Sequence, residues 1–73
     1  MNAPLFAARL VLDDLVRSFQ VRPALPAGWE AAEYENQRMV YQQHYADWHR
    51  VELALVRFRR EIAELRSRGW LDT

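Results

Sequence analysis

Seventy-three residues, half of them apolar, with ten arginines balanced by ten acids, describe one small ordered domain rather than a disordered segment. The chain has no cysteine, which excludes disulfide staples and cysteine-ligated zinc and fits a reducing compartment. Zero net charge argues against bulk attraction to nucleic acid. The absence of lysine, which a GC-rich genome accounts for, leaves arginine's planar fork as the cationic group.

The opening MNAPLFAARLVLDDL has no basic region ahead of its apolar stretch. Arg9, Asp13 and Asp14 interrupt that stretch well before the ~20 apolar residues of a membrane span. Asn2 stands where N-myristoylation requires glycine. A cytoplasmic location and no membrane partner are expected.

The first element spans about residues 4–20. Asn2 is placed to cap a helix and Pro4 to occupy its first turn. Leu5, Ala8, Leu12, Leu15, Val16 and Phe19 share one face at helical spacing, with Asp13 and Arg17 as an outward i,i+4 pair. Residues 21–28 hold Pro23, Pro26 and Gly28, which stop the helix and predict a short loop.

Residues 29–68 contain no proline beyond that loop and no glycine. Tyr34, Gln37, Tyr41, His44, Trp48, Val51, Leu55, Phe58, Ile62 and Leu65 step by three and four along them. That seam predicts helix over about residues 31–68, with a break near residues 44–47, Asp47 capping a final segment of about residues 48–68, and Gly69 as its left-handed stop. Trp70 is expected to fold back on Leu65. The fold class expected is all-α, a small three-helix bundle within a single domain over residues 1–73; one long helix that dimerises is the alternative.

Chemistry-bearing groups are sparse. His44 and His49 are five apart, so on a helix they point away from each other and cannot share a metal. Ser18, Ser67, Thr73 and the tyrosines lie in no nucleophile elbow, and two glycines make no phosphate loop. The acids Asp13, Asp14, Glu30, Glu33 and Glu35 read as solvated. No catalytic residue, metal or cofactor is expected, and the chain is not expected to be an enzyme.

Apolar residues off the seam are more informative. Phe6 and Leu10 are i,i+4 neighbours opposite the first helix's buried face, and Leu53 and Val56 point away from Trp48, Leu55 and Ile62. Arg17 flanks the first helix, and Arg50, Arg57 and Arg60 surround the second pair with Arg68 beyond them. Arginines interleaved with apolar side chains suit a protein partner. Phe6, Leu10, Arg17, Arg50, Leu53, Val56, Arg57 and Arg60 are therefore the candidate partner-binding residues. A helical self-associating or chaperone-like module, and nucleic-acid binding through the arginine stripe, are the alternative functions.

The full length, the opening MNAPLFAARLVLDDL and the arginine-rich, lysine-free, cysteine-free character resemble the small transcription regulators that lytic bacteriophages use against host RNA polymerase, of the Xanthomonas phage type. The resemblance implies binding near the N-terminus of the polymerase's largest subunit, inhibition of sigma-dependent initiation and promotion of antitermination, all in the host bacterial cytoplasm. It carries no contact residues.

Overall fold

Asn36 and Gln37 both adopt left-handed backbone, with φ of 50° and 70°. Two consecutive positive φ values reverse an extended chain within two residues, and that geometry matches the twist of the flanking strands. The Asn36 side chain reinforces the turn by accepting from the Val16 amide at 2.8 Å. Asp13, at φ 53°, begins a second tight turn. Each turn closes a β-hairpin, so these two corners set the architecture.

The computed structural model describes residues 4–73. Strands β1 (Phe6–Leu12), β2 (Leu15–Pro23), β3 (Trp29–Glu35) and β4 (Arg38–Tyr45) form an antiparallel meander, followed by helix α1 (Trp48–Ser67) and the short β5 (Leu71–Asp72). The strand order in the sheet is β4-β3-β2-β1-β5. Between β2 and β3, Gly28 sits at φ +88°, and a Cβ there would meet the Tyr45 carbonyl at 2.6 Å. Only glycine fits that corner without displacing backbone.

Helix α1 lies across one face of the sheet. Leu10, Phe19, Val21 and Ala31 from the strands pack against Val51, Ala54, Phe58, Ile62 and Leu65 from the helix. Phe58 is central, with its ring centroid 5.2 Å from Phe19, 6.2 Å from Tyr41 and 6.4 Å from Phe6. Trp29 and Trp48 meet edge to face at 5.3 Å where β3 passes the start of the helix. Such aromatic packing buries large areas per residue, which a 73-residue chain needs to offset its conformational entropy.

The expected all-α three-helix bundle is therefore corrected to a five-stranded antiparallel sheet with one helix, and a mainly helical description of the chain does not hold. Residues 4–20 are not a helix but β1, a turn and most of β2. The loop expected over residues 21–28 is shorter, because Val21 to Pro23 still pair with β3. Residues 31–44 are not a middle helix but strands β3 and β4, so neither that helix nor a continuous one over residues 31–68 forms. The physical reason is that helical spacing and strand alternation coexist here. Phe6, Ala8 and Leu10 alternate on one side of β1, as do Phe19 and Val21 in β2, and tertiary packing selects that period. The proposed cap Asn2 lies outside the described residues.

The final helix expected over about residues 48–68 is present as α1, whereas the strand β5 that follows it was not expected. Asp47 accepts from the Arg50 amide at 3.0 Å as N-cap. At the other end the Gly69 amide donates to Arg66 O and the Trp70 amide to Leu65 O, with Gly69 at φ +99°.

Candidate protein-binding surface

The strand period redistributes the candidate residues. In a strand, residues four apart share a face, so Phe6 and Leu10 both turn toward the helix. Leu10 is fully buried and Phe6 is half-buried against Phe58, so they form no surface pair. Arg17, opposite Leu10 in the sheet, is also drawn inward. It pairs with Glu33, only 6% exposed, and lies 3.8 Å from Glu61 of the helix. Arg17 is thus structural, a cation lodged between sheet and helix.

The candidates on α1 are outward. Leu53 and Val56 are 57% and 51% exposed, and Arg50, Arg57 and Arg60 are exposed around them. These five residues come together on the helix's outer side, as the apolar spacing of Val51, Phe58, Ile62 and Leu65 requires, because that stripe fixes which side of α1 is buried. Of the eight sequence-based candidates, the structure unites these five and separates Phe6, Leu10 and Arg17 from them.

A cleft of about 460 Å³ runs beside the helix, lined by Tyr45, His49, Arg50, Leu53, Ala54 and Arg57. Arg57 is held over the Tyr41 ring at 4.1 Å and lies 3.5 Å from Glu61, while Arg50 lies 3.5 Å from Asp47. The Arg57 guanidinium is therefore oriented before any partner arrives, and the Arg57 and Arg50 side chains remain 47% and 71% exposed. The Tyr41 and Tyr45 hydroxyls share a hydrogen bond of 2.8 Å. Burial, and then that bond, push the Tyr45 phenol up to about 12, so it stays neutral throughout the physiological range. Loss of solvent contact, and then the nearby Glu33 carboxylate, raise Glu61 above the usual carboxylate range.

Glu33, Glu61, Tyr41 and Tyr45 were not singled out as functional in the sequence. The readable signal was the alternation of Trp29, Ala31 and Glu33 ahead of a polar Asn36–Gln37 corner, which marks Glu33 as inward on a strand.

The open face of the sheet, opposite α1, carries a larger concavity of about 570 Å³ lined by Arg9, Asp14, Val16, Ser18, Gln20, Tyr34, Asn36 and Gln37. Its polar groups are partly committed: Arg9 donates to the Thr73 hydroxyl at 2.7 Å and Asn36 holds the Val16 amide. Ser18 is its one serine, and no histidine lines it. His44 belongs to β4, with Nε2 3.0 Å from the Ala27 carbonyl, and His49 belongs to α1. Among the described residues no group of three or more His, Cys, Asp or Glu converges as a metal site would require. No helix among them is long and apolar enough to cross a membrane.

Compared with known proteins, the chain matches no family model, no curated sequence and no solved structure.

Proposed function

We propose that this chain acts by binding another protein through the outer side of α1, without catalysis, and that its target is bacterial RNA polymerase. The observation that carries the binding reading is the exposure of Leu53 and Val56 inside a field of Arg50, Arg57 and Arg60. Apolar anchors ringed by arginine are the composition of binding hot spots, and the cationic rim selects an acidic surface. Scale agrees with this. A standard face of ~800 Å² per partner would take about a sixth of the 5211 Å² surface.

The choice of polymerase follows from the resemblance to phage regulators of host transcription. In this reading the bound chain disfavours sigma-dependent initiation, favours passage through terminators and works in the bacterial cytoplasm. It acts stoichiometrically, by stabilising the polymerase states to which it binds.

The test uses purified Xanthomonas RNA polymerase with and without sigma factor. Wild-type chain is expected to co-elute with the polymerase, reduce promoter-dependent run-off transcript and increase terminator read-through. The Leu53→Asp/Val56→Asp double variant, folded by circular dichroism, is expected to lose all three effects. Failure of the wild-type chain to co-elute, or full activity of the double variant, would end the proposal.

A further inference from the structure

We infer that β4 is a docking edge for an extended, acidic segment of the partner protein, which joins the sheet beside β4 and lays side chains into the Arg50–Arg57 cleft. The inference rests on the protein-binding reading above and gives the partner a conformation and a charge.

β4 is the outermost strand on its side of the sheet, whereas on the other side β1 is partly covered by the two-residue β5 and by the Thr73 amide donating to Arg9 O. The direction of β4's free groups follows from the register. Asn36 N donates to Val16 O, so every second residue back along β3 (Tyr34, Ala32, Glu30) turns its backbone groups toward β2. Glu33, Ala31 and Trp29 then face β4, where their partners are Tyr41, Gln43 and Tyr45. Gln42 and His44 are left with amide and carbonyl pointing away from the sheet. The His44 carbonyl takes only the Gln43 side-chain amide, at 3.3 Å, among the described residues.

Natural edge strands are commonly blocked by lysine, proline, inward charge or bulges. The Tyr41–Tyr45 stretch YQQHY carries no lysine, proline or acid, and β4's one irregularity falls nearer Arg38, opposite Glu33/Tyr34. The unblocked half is the half that borders the cleft. Tyr41, Gln43 and Tyr45 are on the helix side, so alternate side chains of an added strand would enter the cleft beneath Arg50, Leu53 and Arg57.

Charge decides among occupants. A second copy paired antiparallel along β4 would bring both helices to the same face of a joint sheet, with the Arg50 and Arg57 flanks turned toward each other. That arrangement sets four arginines around one cleft, because Asp47 and Glu61, which lie beside them, do not line it. An extended segment with acids on alternate positions instead supplies anions there and satisfies the Gln42 and His44 backbone groups together.

The probe is an eight-residue peptide alternating glutamate and valine, added to the full chain and followed by amide shifts and hydrogen exchange. Comparators are the matching lysine–valine peptide, a glutamate–valine peptide N-methylated at alternate residues, and octathymidylate. The expected result is slowed exchange at the Gln42 and His44 amides with the glutamate peptide. Affinity should fall at least tenfold with the lysine peptide, with N-methylation and in the Gln42→Pro variant, whose lost amide points outward. Equal binding of the N-methylated or lysine peptide, protection by octathymidylate in place of the glutamate peptide, or a concentration-dependent doubling of mass would overturn the inference. Because the N-methylated peptide leaves the protein unaltered, the test survives if Gln42→Pro misfolds. Gln42→Pro offered to polymerase separates the two readings. If it binds normally while Leu53→Asp/Val56→Asp does not, strand addition fails and the polymerase proposal stands.

Discussion

Leu10 and Leu53 have the same side chain in opposite circumstances, the first sealed between sheet and helix and the second more than half exposed. Leu10→Ala removes buried methyl groups and leaves a cavity, at an expected cost of ~2–5 kcal/mol. Leu53→Ala is expected to stay within ~0.5 kcal/mol. Urea denaturation of the two variants measures both, and comparable losses would contradict the placement of the helix. Glu61 adds a pH signature. Its carboxyl is raised in the folded chain by lost solvation and by Glu33, so its ionisation opposes folding. The folded state takes up this proton at higher pH than the unfolded one, so this contribution to stability grows as pH falls through the raised value toward the ordinary 4.5. Glu61→Gln removes the linkage. The variant's melting temperature relative to wild type is expected to be most favourable at pH 7 and to decline toward pH 4.5, and a pH-independent difference would refute it. Asp72 works in the opposite sense: its hydrogen bond to Arg66, 2.8 Å at Nε, holds its carboxyl below the usual range, and that support disappears as acid protonates it.

At the scale of elements, α1 was legible because its signals agree: an Asp47 cap, a stripe of Val51, Phe58, Ile62 and Leu65, and Gly69 as the stop. The strands were not, because each local signal also had a helical reading. Leu5, Ala8, Leu12 and Leu15 fit a helix as well as Phe6, Ala8 and Leu10 fit a strand, and the polar seam from Tyr34 to His44 matched helical spacing by coincidence. The hairpin corner was masked too, since Gln37 stands where such turns usually have glycine. The candidate surface was legible only in part for the same reason. Its members on α1 lie outward as the helical spacing predicts, whereas Leu10 and Arg17 were given an outward side that only a helix would have provided. Gln37→Gly tests this corner by its sign. At φ 70° a side chain is strained, so glycine is expected to stabilise the chain by up to about 1 kcal/mol. In a helix interior the same change would cost about 1 kcal/mol. Thermal unfolding reads the sign directly.

Across the whole molecule, zero net charge conceals a segregation. Residues before Trp48 carry four arginines and six acids, and residues from Trp48 onward carry six arginines and four acids. The fold turns this difference along the chain into one across space, because the second group is chiefly α1 and the first is the four-stranded meander beneath it. A dipolar molecule is steered by its local field even when its total charge is zero, and screening shortens that field to ~8 Å at physiological ionic strength. In the proposed complex, association with an acidic partner surface is therefore expected to slow as salt rises, while dissociation, set there by the apolar contacts of Leu53 and Val56, is expected to change little. Arg60→Glu, exposed on α1, is expected to lower the on-rate for RNA polymerase and flatten its salt dependence. Arg22→Glu, an equal change of charge on β2, is expected to do neither. Stopped-flow mixing at several salt concentrations distinguishes the two variants. Equal effects would mean that net charge, rather than the charged side of the helix, governs the encounter.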